Sequence, residues 1–157
     1  MQISENSRIW IYQADRALTA SEQTEVQNRL DEFTSQWLAH GNALSALGEI
    51  RHDRFIILSV DEQQAGATGC SIDKSVYLMK EIELRYGINL FDRFNIAYRD
   101  NNGNVTNTDR GTFQRLLEAG EVNEDTIVFN NLVSTRKELE TNWEVPMKES
   151  WHSQVFA

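Results

Sequence analysis

Two adjacent carboxylates, Asp61 and Glu62, close the apolar run Phe55-Ile56-Ile57-Leu58-Ser59-Val60, and Ala65-Gly66-Ala67-Thr68-Gly69-Cys70-Ser71-Ile72-Asp73-Lys74-Ser75 follows. Carboxylates at a strand end can hold a cation, position a water or take a proton. The start of a helix offers unbonded N–H groups and the positive end of its dipole, which suit a phosphate or a carboxylate. A thiol at such a position can act as a nucleophile. Cys70, Asp61 and Glu62 are therefore the candidate catalytic residues, and Gly66, Thr68, Gly69, Ser71 and Lys74 the candidate ligand-binding set. Each also has a plainer use: the glycines permit a tight turn, Ser71 or Asp73 caps a helix, Asp61 ends a strand, and Cys70 packs as a small residue.

The elements that must position these residues emerge from periodicity. Arg8 to Ala14 is a short apolar and aromatic run of strand length. Thr19 and Glu22 have capping-box spacing, and Val26, Leu30, Phe33 and Trp37 recur at helical intervals up to a stop at His40-Gly41. Ala43 to Ile50 and Arg54 to Val60 read as two strands joined by Arg51-His52-Asp53. A second helix opens near Ser71, buries Ile72, Val76, Met79, Ile82 and Tyr86, and ends at Gly87. Phe94 to Arg99 is a further strand. This order predicts an α+β protein with an antiparallel sheet in β-α-β-β-α-β, ferredoxin-like, arrangement, in which the third strand is central. Beyond it come a turn at Asp100 to Asn104, a helix from Asp109 to Ala119, a strand from Thr126 to Phe129 and a helix capped by Thr135 and Glu138. The apolar tail with Trp143, Val145, Pro146 and Trp151 docks on the body. The expectation is a single domain over 1–157, with a core over 1–99 and a C-terminal α/β extension over 100–157 that is not independent.

Composition narrows the function classes. The chain of 157 residues is 40% hydrophobic and 10% aromatic, enough for one substantial core. Fifteen Lys+Arg against 24 Asp+Glu give a net charge of -9, which disfavours nucleic acid and anionic lipid as general partners. One cysteine and three scattered histidines supply neither an internal disulfide nor a zinc site of the usual spacing, and no metal or particular cofactor is indicated. His40, His52 and His152 have no spacing that pairs them with Cys70 as a base. The N-terminus lacks a basic stretch leading into an apolar one, and no apolar run approaches the roughly 20 residues that cross a bilayer. A cytoplasmic protein without membrane insertion is expected.

Nearly the whole chain resembles a family of short bacterial proteins catalogued as an ABC transporter ATPase. The resemblance runs through Ile9-Trp10-Ile11-Tyr12-Gln13-Ala14-Asp15-Arg16, Ala65 to Ser75, Asn89-Leu90-Phe91-Asp92-Arg93, Ile127 to Val133 and Asn142-Trp143-Glu144-Val145-Pro146. The family label implies nucleotide binding, with Asp61-Glu62 as a Walker B end and Gly69 to Ser75 as the end of a Walker A loop. The residues depart from that pattern: Asp73 stands where glycine precedes Lys-Ser, the two motifs come in reversed order, and Leu-Ser-Gly-Gly-Gln is absent. The C-terminal third, through Tyr98-x-Asp100-x-x-Gly103-x-Val105, Phe113, Leu116-Leu117, Gly120, Val122 and Asp125 to Val128, is similar to bacterial GYF-like modules, which implies protein interaction. Ala97 stands in place of the Trp that leads the first strand of those modules, and Phe129 stands where they often place Trp.

Three function classes follow. The leading expectation is a binding or regulatory protein that takes a small anionic molecule at the Gly66 to Ser71 loop. The alternatives are an enzyme in which Cys70, or a water held by Asp61 and Glu62, attacks an electrophile, and an adaptor that meets a protein partner through the GYF-like C-terminal third and the Trp-rich tail.

Overall fold

Thr19 begins the first helix as the sequence predicts. Its side chain accepts the Glu22 N–H, and Glu22 reaches back to the Thr19 N–H, a complete capping box. The computed structural model describes residues 3–156. It is α+β, with antiparallel sheets and helices along the chain. The described residues divide into two compact units, one formed by residues up to Phe91 with Ser134–Lys137, the other by Asp92–Val133 with the residues from Glu138 onward.

In the first unit, β1 (Arg8–Gln13), α1 (Ala20–Ser35), the short β2 (Leu38–Ala39) and β3 (Asn42–Ala43), β4 (Ser45–Arg51), β5 (Phe55–Asp61) and α2 (Gly69–Tyr86) follow in order. The sheet order is β1-β5-β4, antiparallel throughout. The run Phe55 to Val60 is buried at every position, and this strand is the central one of the sheet, as expected. One side of the sheet meets the helices through Tyr12, Ile56, Leu58 and Val60 against Val26, Leu30, Met79 and Ile82. Burial of such aliphatic side chains supplies about 1.5–3 kcal/mol each.

Two expectations are corrected here. The first helix ends at Ser35, not at His40-Gly41. His40 and Gly41 take left-handed backbone (φ 51 and 80) and turn β2 back on β3, while Trp37 lies beyond the helix yet is buried. Among the described residues the four-stranded ferredoxin-like sheet is not formed either, because the strand after α2 pairs in another sheet. The outer edge of β1 is taken at its start by Ser134–Lys137. Ile9 donates to the Ser134 carbonyl at 2.9 Å, Arg136 to Ser7 at 3.0 Å, and Arg8 bridges Thr135. Arg136 also donates to Glu49 Oε1 at 2.7 Å and to Ser59 Oγ at 2.9 Å, which fixes the segment on the sheet.

The second unit contains β6 (Asn95–Arg99), β7 (Val105–Asp109), α3 (Arg110–Glu118), β8 (Ile127–Phe129) and β9 (Glu144–Pro146) in a sheet of order β7-β6-β8-β9. The polar strand β7 is an element that the hydrophobic pattern does not reveal. Asp109 caps α3 by accepting from Thr112 N–H. Ile96, Phe113, Val122, Val128, Met147 and Phe156 form the core of this unit. The helix α4 (Arg136–Thr141) precedes β9, and α5 (His152–Val155) is the last. The tail is ordered as expected, with Trp143 buried against Phe129 at 5.0 Å.

Candidate functional site

β5 delivers Asp61 and Glu62 to the loop, but both carboxylates turn inward on the chain. Asp61 Oδ1 accepts the Gln63 N–H at 3.1 Å, and Glu62 Oε2 accepts the Ala67 N–H at 2.8 Å. A side chain at Gly66 would put its Cβ 3.1 Å from Glu62 Oε2, so this glycine makes room for the carboxylate that closes the loop. Glycine here serves the turn itself.

The hydroxyls are likewise occupied. Thr68, rather than Ser71 or Asp73, is the N-cap of α2: its Oγ1 accepts the Ser71 N–H at 3.2 Å, while Ser71 Oγ accepts the Thr68 N–H at 2.7 Å. Ser71 is buried, and its carbonyl accepts Trp37 Nε1–H at 2.9 Å. Gly69 and Cys70 are exposed at the first turn. Among the described residues the Cys70 side chain has no hydrogen bond, and the N–H groups of Gly69 and Cys70 donate to no partner. They are the free donors that a helix start leaves.

Lys74 lies on the same helical face as Cys70, one turn on. It is exposed and has no ion pair or hydrogen bond among the described residues. Its side chain lines an open groove of about 320 Å³, together with Arg29, Glu32 and Phe33 of α1, Trp37 and Leu78. Phe33 and Trp37 are tilted against each other with centroids 5.0 Å apart. Arg29 is held by Glu81 across the helices at 2.7 Å. The Trp37 bond to Ser71 ties the wall of this groove to the first turn of α2.

The histidines stand elsewhere. His40 sits in the β2–β3 turn, His52 in the β4–β5 turn edge-on to Phe55, and His152 is buried with Nδ1 2.7 Å from Ser150 Oγ. Among the described residues no group of three or more His, Cys, Asp or Glu side chains could hold a metal ion. Of the residues predicted from sequence, the structure leaves Gly69, Cys70 and Lys74 exposed in the first turns of α2, with Lys74 alone lining the groove, and commits Asp61, Glu62, Gly66, Thr68 and Ser71 to the loop. Sequence reasoning missed Arg29, Phe33 and Trp37. The visible signal was a second stripe on α1, Arg29, Phe33 and Gln36, beside the core stripe of Val26 and Leu30. Comparison with protein-family models, with curated proteins and with solved structures gives no match to this chain.

Proposed function

We propose that this chain is a binding protein for a small anionic molecule with a flat or apolar body, held in the groove that Lys74 shares with Arg29 and Phe33. The observation that carries the reading is Lys74 itself, an unpaired ammonium beside an aromatic wall in a chain of net charge -9. A carboxylate or phosphate would pair with Lys74 and Arg29, and its body would lie against Phe33. The unbonded amides of Gly69 and Cys70, one turn away at the positive end of α2, add to the favourable field.

Binding is favoured over catalysis because Cys70 has no hydrogen-bonded base among the described residues, and Asp61 and Glu62 already serve the loop. A lone cysteine suits a reducing compartment such as the cytoplasm. No helix among the described residues is long and apolar enough to cross a membrane.

The test is thermal melting against phosphate, sulfate, aryl phosphates, aromatic carboxylates, and nucleotides with and without Mg²⁺. A ligand that binds only the native state at about 100 times its Kd adds about 2.7 kcal/mol of stability. At least one of these anions is expected to raise Tm, and Lys74→Gln to abolish that rise without changing the Tm of the unliganded protein. No rise with any of them, or the same rise in the variant, would overturn the proposal.

A further inference from the structure

The second unit carries a charged and aromatic patch of its own. β6 and β7 pair with Asn95 opposite Asp109, so Arg93 and Phe94 enter the ribbon at the end from which Arg110 leaves it. Phe94 is 62% exposed, and Arg110 Cζ lies 5.8 Å from its ring centroid. Arg93 and Arg110 are exposed and make no ion pair among the described residues. The carboxylates next to them in sequence are engaged with backbone. Asp92 Oδ1 accepts the Phe94 N–H at 2.9 Å, and Asp109 accepts the Thr112 N–H at 2.8 Å and the Thr112 hydroxyl at 2.9 Å. The result is an exposed ring with the Arg110 guanidinium against it and Arg93 beside it in sequence, neither arginine ion-paired among the described residues, on a chain of net charge -9.

We infer that Arg93, Phe94 and Arg110 form a docking site for a short acidic peptide segment bearing an aromatic or large apolar side chain among its carboxylates. Guanidinium groups take carboxylates through paired, planar hydrogen bonds, and a partner side chain laid on Phe94 removes apolar surface from water. Exposed arginine and aromatic side chains are also the types that anchor protein interfaces. A single-stranded nucleic acid offers phosphates and flat bases to the same patch. Its long run of negative charge, however, meets the repulsion of the whole acidic molecule, whereas a short segment with few charges feels mainly the nearby arginines within the Debye length of about 8 Å. The peptide is therefore the occupant that the charge distribution selects.

The test probes the full-length protein against an array of short random peptides. The expected result is enrichment of peptides with Asp or Glu flanking an aromatic residue, binding that weakens with added salt, and roughly ten-fold loss in the Arg93→Ala/Arg110→Ala double variant at unchanged Tm. If the double variant melts lower, Arg93→Ala alone gives the reading, since Arg93 has no side-chain partner to lose. Absence of acidic enrichment, equal binding by the variant, or tighter binding of oligothymidylate than of the best acidic peptide would overturn the inference.

Discussion

Thr68 decides where α2 begins, because its hydroxyl satisfies the Ser71 N–H while Ser71 returns the bond to the Thr68 N–H. Thr68→Ala is expected to cost about 1 kcal/mol, the usual value of an N-cap, measured by urea unfolding; an unchanged midpoint would mean that the exchange between these residues contributes nothing. The hydroxyls of this loop were legible in the sequence, but their use was not. Thr-x-x-Ser copies a capping box with serine in the place of Glu or Gln, and a sequence offers no way to know which hydroxyl is spent on the cap until the backbone is fixed. His152 shows a similar limit, since only the folded chain reveals its burial. Desolvation pushes its pKa down to about 4, from an ordinary 6.5. The unfolded chain therefore takes up this proton at higher pH than the folded one. The contribution of the neutral ring is complete above pH 6.5 and is lost as pH falls toward 4, on the order of 3 kcal/mol in all. In His152→Gln the pH dependence of stability over that window should flatten relative to the parent; equal slopes would contradict the assignment.

At the scale of elements, periodicity succeeded where burial is one-sided or complete. The capping box at Thr19, the buried run of β5 and the left-handed stop at Gly87 all stand where the sequence placed them. It failed where polar residues pair in strands. Val105-Thr106-Asn107-Thr108-Asp109 is half-buried along most of its length and lacks an apolar alternation, so β7 is visible only through its pairing with β6. The destination of β6 was equally hidden, because chain order does not say which sheet edge a strand will choose. Close packing of α1 on β4 gives a sharper test. A Cβ at Gly48 would lie 2.9 Å from Leu30 Cβ, and Gln27 Nε2 donates to the Gly48 carbonyl at 2.9 Å. Gly48→Ala should destabilise the protein by about 1–3 kcal/mol through overpacking, read from chemical denaturation. A neutral effect would show that α1 can retreat from the strand without loss.

For the whole molecule, the order of the periodic segments called for an α+β chain, which is what is observed, while composition called for one substantial core and each of the two units has its own buried cluster. Net charge is the second global property with consequences: at -9 the unpaired cations stand out as places where negative ligands gain most. Lys74 was among the site residues expected from sequence, while Phe33 and Trp37 were read only as members of a core stripe and Arg29 was not named, since the groove exists only once α1 and α2 lie side by side. The candidate site was thus legible at one wall and invisible at the other. The most direct test of the anion-binding claim is an NMR titration of the ¹⁵N-labelled protein with phenyl phosphate, which carries both the ring and the charge. Saturable shifts centred on the amides of Arg29, Phe33 and Lys74, absent in Lys74→Gln, are the predicted result. No saturable shift, or shifts confined to the Arg93 and Arg110 patch, would contradict it.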